Sequence, residues 1–453
     1  MKRAAAFLCI LVLCLSVAVF AAACNNDDGT AQGVTFVKAE ESGDGYATLY
    51  VPEGKSLDVM VLSDPQVDYT EKYKAVGSPG NETTYAFIED FVRATDPDFV
   101  VVNGDLVMLD TPFASQVPYF DRYAEIFERL EVPWTFTSGN HDSDYKWQLV
   151  DGAAADSPYQ CSKAVLTEHM SQYKHCLVSS DEDCADGEGN HFVNVRTYGG
   201  GLIYTMCMFD CVDDGEHGDY SAVPTAAQVD WYRDTINALS DTEYGADRSA
   251  DEVVKSVIFN HVGVPEFKAA WDAAWNDGYP TEAYHYGHWL EGNYTSKYGD
   301  IPEEEQIFAV AKALGSTTAI FMCHHHDNDF SVDYEGIRLT FGQHSGYSHY
   351  YRTEHESNAG GLFDLDHSVK YWKGIDFSRI DDYGDERGGT LLILRADGTF
   401  DITPVYARDT LPNYAEKYYI DYDAVAAAIE NDPTYTSTVT RGSARAWRLP
   451  AEQ

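Results

Sequence analysis

Residues 132–142, VPWTFTSGNHD, show the pattern that decides the fold: a short apolar run leads directly into polar residues that can bind metal ions. Four other stretches repeat this pattern, namely LDVMVLSDPQ at 57–66, DFVVVNGD at 98–105, VVKSVIFNH at 253–261 and TTAIFMCHHH at 317–326. Apolar runs of this length, bounded by polar residues, predict buried strands. Because ligands of open α/β sheets gather at the carboxyl ends of strands, the polar residues predict one common site.

The segments between these strands have the periodicity of amphipathic helices. Residues 82–95, ETTYAFIEDFVRAT, place Ile88, Phe91 and Val92 on one face, and the segment 224–239 begins with a proline close to a helix start. Strands that alternate with helices predict an α/β fold with helices on both faces of a largely β core. The polar, cysteine-containing segment at about 150–190 is predicted to be a decorating loop.

The composition is that of an acidic globular protein. Of the 453 residues, 44% are hydrophobic, and Lys+Arg 31 against Asp+Glu 74 gives a formal net charge of −43. A surface this acidic repels the phosphate backbone of nucleic acid and anionic membrane surfaces. Nucleic acid is therefore not expected as a partner.

The N-terminus has the features of an export signal. Two basic residues, Lys2 and Arg3, precede an apolar stretch that ends in small residues directly before Cys24. The segment resembles a bacterial lipoprotein signal, which implies removal of Met1 to Ala23 and a lipid on Cys24. The protein is then expected outside the cytoplasm, anchored to the cell membrane. A membrane-spanning anchor and plain secretion are the alternatives.

The remaining chain is divided into three predicted parts. Residues 24–50 are predicted to be a polar tether and lead-in, 51–408 a single domain, and 409–453 a C-terminal extension. Six cysteines follow the one at position 24, and export permits disulfides. The sequence does not rank their 15 pairings, and the pairing guessed here joins Cys176 and Cys184 across an acidic loop. Oligomeric state is left open.

The polar residues at the strand ends fit the hydrolysis of a phosphate ester by two divalent ions. Such ions neutralise the phosphoryl oxygens and produce hydroxide at neutral pH. Asp105, which follows a glycine in a tight turn, is expected to bridge them. The expected ligands are Asp64, Gln66 and His326 on one ion, and Asn140, His261 and His324 on the other. His141 is then free to donate a proton to the leaving oxygen.

The ordered set DPQ, GD, GNHD, H and His-x-His resembles the calcineurin-like metallophosphoesterases, from about Asp58 to Leu394. FNHVGVPE, HHHDNDF and FGQHSGY are similar to the branch related to purple acid phosphatase 29 and its fungal relatives. This resemblance implies a four-layer α/β/β/α sandwich, in which two packed mixed sheets are flanked by helices. It also implies phosphoesterase activity on a small phosphate ester, with two divalent ions drawn from Fe, Mn, Zn or Mg.

Three residues depart from the family pattern. Gln66 stands where the family usually has histidine, and an amide oxygen binds a transition metal more weakly than imidazole. Cys323 replaces a glycine before the last histidines, either as a thiol near the metals or as a small buried residue. Met108 stands where purple acid phosphatases have a tyrosine ligand, so a ferric-tyrosinate centre is not expected.

Two functions follow from the pattern and its departures. The first is a two-metal hydrolase, in which a metal-bound hydroxide attacks phosphorus and His141 assists. The alternative, motivated by Gln66 and Cys323, is a surface lipoprotein of the same fold that binds phosphate or metal with weak or no catalysis. The sequence leaves the substrate open among monoesters, diesters, phosphoproteins and nucleotides.

Overall fold

The computed structural model of the protein describes residues 33–68, 80–108, 114–142, 148–150, 153–155, 159, 161–211, 223–289, 297–326, 328–347 and 386–419. The predicted signal segment and Cys24 lie outside the described residues, as does most of the predicted C-terminal extension. Within the described part of the chain, no helix combines the length and the apolar character needed to cross a membrane.

The structure contains twenty strands within the described residues. In chain order they are β1 Thr35–Val37, β2 Ala47–Val51, β3 Ser56–Leu62, β4 Val67–Asp68, β5 Phe99–Asn103, β6 Val107–Met108, β7 Trp134–Thr137, β8 Gln148–Val150, β9 Ala153–Ala155, β10 His191–Thr197, β11 Leu202–Met208, β12 Lys255–Phe259, β13 Trp275–Asn276, β14 Tyr279–Pro280, β15 Tyr284–His288, β16 Thr317–Met322, β17 Asp329–Tyr334, β18 Ile337–Phe341, β19 Gly388–Arg395 and β20 Phe400–Tyr406.

Helices connect many of these strands. They are α1 Asn81–Thr95, α2 Val117–Leu130, α3 Lys163–Met170, α4 Ala226–Tyr244, α5 Glu266–Ala273, α6 Ile307–Leu314, α7 Ala407–Thr410 and α8 Tyr414–Lys417. Short 3-10 turns span Ala39–Glu41 and Glu303–Glu305. Helix α4 begins at a capping box, in which the hydroxyl of Thr225 accepts from the Gln228 N–H and the Gln228 side chain accepts from the Thr225 N–H.

Two large sheets form the centre of the fold. One has nine strands in the order β1-β2-β10-β11-β12-β16-β18-β17-β15, and the other has five in the order β20-β19-β3-β5-β7. In the second sheet β3, β5 and β7 run parallel, whereas β19 and β20 are antiparallel to their neighbours. The first sheet likewise combines parallel and antiparallel pairs. Both sheets are therefore mixed, as the resemblance implied.

The five apolar runs of the sequence are the central strands β3, β5, β7, β12 and β16, and they are buried on both faces. Strand β3 shows how this happens. Val59 and Val61 point into the core between the two sheets, whereas Met60 and Leu62 point into the core beneath the outer helices. Strands covered on both faces have continuous apolar sequences, which explains why these runs do not alternate with polar residues.

Helices cover the outer face of each sheet. The side chains of α1 and α2 pack on the five-stranded sheet, and those of α4, α5 and α6 pack on the nine-stranded sheet. A third apolar cluster fills the space between the sheets. This order of layers confirms the predicted α/β/β/α sandwich.

Two local expectations are wrong. The segment predicted to be a decorating loop contains α3, and its Leu166 and Met170 are fully buried against the core beneath α2. The expected disulfide is also not formed, because Cys176 lies in the core outside the five-stranded sheet and Cys184 in the core outside the nine-stranded sheet. The predicted boundaries at residues 50 and 408 stay a prediction, although β1 and β2 join the nine-stranded sheet from within the lead-in.

Candidate metal centre

The polar residues that follow β3, β5, β7, β12 and β16 meet at one edge of the two sheets. His261 Nε2 lies 3.1 Å from Asp105 Oδ2 and 3.8 Å from Asp64 Oδ1. His326 Nε2 lies 3.3 Å from the same Asp64 oxygen. The rings of His261 and His324 are 5.3 Å apart. Side chains from both sheets thus share one small volume.

Asp105 lies at the centre of this arrangement and is fixed by three contacts. Its backbone N–H donates to Asp142 Oδ2 at 2.9 Å, and its Oδ1 accepts from the His141 N–H at 2.9 Å. Its Oδ2 accepts from Gln66 Nε2 at 3.0 Å. The preceding Gly104 has a φ of 88°, and a Cβ there would lie 2.3 Å from His261 Nδ1. Only glycine therefore allows the chain to turn so close to the imidazole.

Asp142, the last residue of the GNHD stretch, holds the loops together, a role that the sequence analysis did not assign. Its carboxylate accepts backbone N–H groups from Asp105, Gly139 at 2.7 Å and Val107 at 3.1 Å. Burial, and then the negative charge of Asp105, raise the pKa of the Asp142 carboxyl to about 7. These three hydrogen bonds connect the loop after β7 to the loop after β5.

Asn140 lies between two residues that contact Asp105. The His141 N–H donates to Asp105 Oδ1, and a Cβ on Gly139 would lie 2.1 Å from the same oxygen. The amide of Asn140 is therefore carried on a loop that is pressed against the central carboxylate. His141 itself is half-buried.

His261 is oriented by a backbone group behind it. Its Nδ1 lies 3.0 Å from the carbonyl oxygen of Asn103, so Nδ1 donates and Nε2 faces Asp64 and Asp105. This is the usual way in which proteins fix a histidine that binds a metal through its other nitrogen. Cys323 Sγ donates to the same carbonyl at 2.6 Å. Burial, and then the charge of Asp64, raise the pKa of this thiol to about 12.

The electrostatics favour charged carboxylates beside neutral and cationic imidazoles. Burial alone would raise the pKa of Asp105, but the charges of His261 and His141 hold it well below its usual range. Burial alone would lower the pKa of His261, but the charge of Asp105 holds it well above its usual range. Burial, and then the neighbouring His325 and His261, lower the pKa of His324 well below its usual range. The carboxylate thus attracts positive charge into a buried pocket.

Backbone strain is concentrated at the same place. Among the described residues, eight non-glycine residues have a positive φ, and four of these are Asp64, Gln66, Asp105 and His324. A residue held in this region costs on the order of 1–3 kcal/mol, and such residues cluster at functional sites. The strained turns aim these four side chains at one point.

The donor set fits a pair of divalent ions. Within the described part of the chain, Asp64 Oδ1, Gln66 Oε1 and the amide oxygen of Asn140 are buried acceptors without a hydrogen-bond partner. Ligand atoms of Asp105, His261 and His324 lie within 4.8 Å of one another, as do those of Asp64, His261 and Cys323. Buried polar atoms are rarely left without partners, and cations would satisfy these.

One further histidine joins the site. The ring of His344 stacks on that of His326, with centroids 4.9 Å apart and planes inclined by 20°. His344 is buried, and it forms an isolated bridge with Ser63 next to Asp64. It follows a short apolar strand as the ligands do, which is the signal that could have found it.

The family model described as "Calcineurin-like phosphoesterase" matches residues 57–289, just over half of the chain. The chain belongs to the calcineurin-like phosphoesterase family. The matched segment contains the motifs from Asp64 to His261. His324 and His326 lie beyond it, and the geometry connects them to the same site.

The chain is also similar to two plant proteins and to two solved structures. "Probable inactive purple acid phosphatase 29" from Arabidopsis thaliana is 22% identical over 324 residues, which is 65% of this chain and 74% of that protein. "Probable inactive purple acid phosphatase 28" from the same plant is 20% identical over 310 residues, 66% of this chain and 72% of that protein. A dimetal phosphatase structure from Danio rerio aligns with a TM-score of 0.38 at 11% identity, covering 64% of this chain and 88% of that one. The yellow lupin (Lupinus luteus) purple acid phosphatase PPD1 aligns with a TM-score of 0.38 at 12% identity, covering 81% and 57%.

Proposed function

We propose that this calcineurin-like phosphoesterase is a two-metal hydrolase that cleaves phosphate esters. The proposal rests on one observation: buried atoms that could bind metal, and that have no hydrogen-bond partner, lie around Asp105. Asp105 would bridge the two ions. Asp64, Gln66 and His326 would hold one ion, and Asn140, His261 and His324 would hold the other.

When bound, two such ions neutralise charge on the phosphoryl oxygens and lower the pKa of water to near neutrality. The residues of the chain do the rest. Asp142 fixes the loop that bears Asp105, and the Asn103 carbonyl sets the orientation of His261. Gln66 contributes its amide oxygen, because its NH₂ group donates to Asp105 and its Oε1 is left for a cation. His141, which is half-buried, would donate a proton to the leaving oxygen.

The proposal is tested with the purified full chain on nitrophenyl phosphate and bis(nitrophenyl) phosphate, with Mn, Fe, Zn or Mg supplied separately. Asp105→Asn should lose both activity and bound metal. His141→Ala should lower kcat by roughly 10²–10⁴-fold, the usual contribution of a proton donor, while it keeps its metal. Asp98→Asn is the matched control, since Asp98 precedes the other end of β5 and its carboxylate accepts the Asp58 N–H at 3.0 Å, away from the candidate ligands. Unchanged rates in Asp105→Asn would overturn the proposal.

A second candidate is a binding protein of the same fold with little catalysis. It is favoured by the names of the plant relatives, which describe those proteins as probably inactive, and by Gln66 in place of the family's histidine. This candidate predicts that the purified protein binds divalent ions or inorganic phosphate and yet releases no nitrophenol under any metal. Turnover with any of the four metals decides for the hydrolase.

We also propose that the protein is exported and carries a lipid on Cys24. The support is the basic pair, apolar stretch and small residues before this cysteine. After expression in a bacterium, the wild-type chain should fractionate with membranes, and its N-terminal peptide should begin at Cys24 with the mass of a lipid. Cys24→Ser should lack the lipid mass. Wild-type protein with Met1 still attached would refute this proposal.

A further inference from the structure

A second group of metal-ligating side chains lies where the edges of the two large sheets meet. His288 is the last residue of β15 and Asp329 the first residue of β17, and the two are directly paired across the strands. Glu386 precedes β19, in the other sheet. None of these residues belongs to the site around Asp105.

The three side chains are close together and buried. One ligand atom from each lies within 4.8 Å of the other two. His288 Nδ1 is 3.4 Å from Glu386 Oε2, and the exposed fractions of these two side chains are 5% and 6%. Asp329 is 3% exposed. Two carboxylates and an imidazole thus share a space that water scarcely reaches.

The hydrogen bonds around Asp329 leave one side of its carboxylate unsatisfied. Its Oδ2 accepts from the Tyr406 hydroxyl at 2.8 Å and from Gln343 Nε2 at 3.2 Å. Within the described residues, Asp329 Oδ1 is buried without a partner, and so is the amide oxygen Oε1 of the 1%-exposed Gln343. Both atoms are acceptors. A buried acceptor with no donor is unfavourable, and more so when it is charged, so a cation or a proton at this place would stabilise the arrangement.

We propose that His288, Asp329 and Glu386 bind a divalent transition-metal ion, in addition to the pair at the main centre. One imidazole with carboxylate and amide oxygens suits Zn²⁺ or Mn²⁺, whereas Ca²⁺ takes oxygen ligands alone. Arg408 contacts Glu386 through its other oxygen, Oε1, at 2.9 Å, which leaves Oε2 directed at His288.

The competing occupant is a proton. Burial, and to a smaller extent the charge of Glu386, raise the pKa of the Asp329 carboxyl to about 7. Burial therefore disfavours Asp329 as a bare anion, and either a metal ion or a proton would neutralise it. A proton on Asp329 leaves no metal bound at this place, so metal content separates the two cases.

An ion here would link the two sheets and support the main centre. The ligands come from the nine-stranded sheet through β15 and β17, and from the segment leading into β19 of the five-stranded sheet. Gln343, which donates to Asp329, precedes His344, whose ring stacks on His326. Binding of the ion would therefore fix the position of His344, which packs against the expected ligand His326.

The test measures metal bound per chain by elemental analysis, after chelation and reconstitution of the full chain with Zn²⁺ or with Mn²⁺. Asp329→Asn and His288→Ala should each bind one ion fewer than wild type. Asp333→Asn is the matched control, since the same change on the same strand alters a half-exposed carboxylate that pairs with Arg338, and it should bind as many ions as wild type. Equal metal content in wild type, Asp329→Asn and His288→Ala would overturn the proposal and favour the proton.

Two further measurements keep the result independent of the main centre. Asp105→Asn should lose metal at the main centre. The double variant Asp105→Asn with Asp329→Asn should still bind one ion fewer than Asp105→Asn alone. Zn²⁺ should raise the unfolding temperature of Asp105→Asn but not of the double variant, because only a folded chain with the second site gains from the ion. Circular dichroism shows whether Asp329→Asn is folded. If it is not, His288→Ala, which keeps both carboxylates and Arg408, gives the decision.

Discussion

Gly139→Ala tests the central carboxylate without removing any candidate ligand. The added Cβ would lie 2.1 Å from Asp105 Oδ1 and 2.5 Å from the Asp105 backbone nitrogen, where at least 3.0 Å is needed. The loop after β7 and the loop that carries Asp105 must therefore separate by about 1 Å. Overpacking of this kind costs about 1–3 kcal/mol, so the protein should stay folded. A displacement of about 1 Å at a catalytic group can lower the rate by about 10²-fold.

The assay compares nitrophenyl phosphate turnover, metal content and the free energy of unfolding in Gly139→Ala and a matched variant. Gly43→Ala is that control, because a Cβ at Gly43 meets nothing within 4 Å and its φ is not positive. Gly139→Ala should lose activity by about two orders of magnitude while it loses no more than about 3 kcal/mol of stability. Activity within twofold of Gly43→Ala would refute the packing around Asp105 described above.

Three other predictions concern stability. Burial lowers the pKa of His191 from its ordinary value of 6.5 to about 4, so the folded state binds fewer protons than the unfolded state and stability is lost as the pH falls from 6.5 towards 4. Between pH 7 and pH 5 the wild type should lose about 2 kcal/mol of its free energy of unfolding for this reason. Denaturant titrations at the two pH values should show a loss that is smaller by about this amount in His191→Gln. Asp142→Ala leaves the buried N–H groups of Asp105, Val107 and Gly139 without their acceptor, so it should lower the free energy of unfolding by more than 3 kcal/mol, whereas Asp142→Asn keeps an acceptor oxygen and should lower it by about 1–2 kcal/mol. Chelation should lower the unfolding temperature of wild type, and added Mn²⁺ should restore it, because a bound cation again neutralises the buried carboxylates of the folded state. An unfolding temperature that is the same with and without chelator would contradict the last prediction.

The central strands could be predicted because each is an apolar run that ends at polar residues. The candidate ligands could be predicted for the same reason, since the carboxyl ends of parallel strands meet at one edge. Asp64 and Asp105 come from neighbouring strands of one sheet, and His261 and His324 come from neighbouring strands of the other. That the two edges face each other follows from how the sheets pack, which the family resemblance supplied and the local pattern did not.

Other features depend on contacts between distant segments, which local periodicity does not report. The pairing of β2 with β10 joins residues about 145 positions apart, and Cys176 and Cys184 are close in sequence but lie in cores on opposite sides of the fold. His288, Asp329 and Glu386 are brought together only by the edges of the two sheets. Sequence reasoning therefore finds which segments are buried more readily than which segments meet.

The strained turns bear on the choice between hydrolase and binding protein. Asp64, Gln66, Asp105 and His324 all have a positive φ, which costs stability in non-glycine residues and is concentrated at functional sites. Gln66 shares this geometry, and its NH₂ group donates to Asp105, so the residue that departs from the family pattern is built into the site as firmly as the others. An amide at this position weakens one ion relative to imidazole without removing its oxygen donor. The candidate ligands, Gln66 included, thus remain grouped around Asp105.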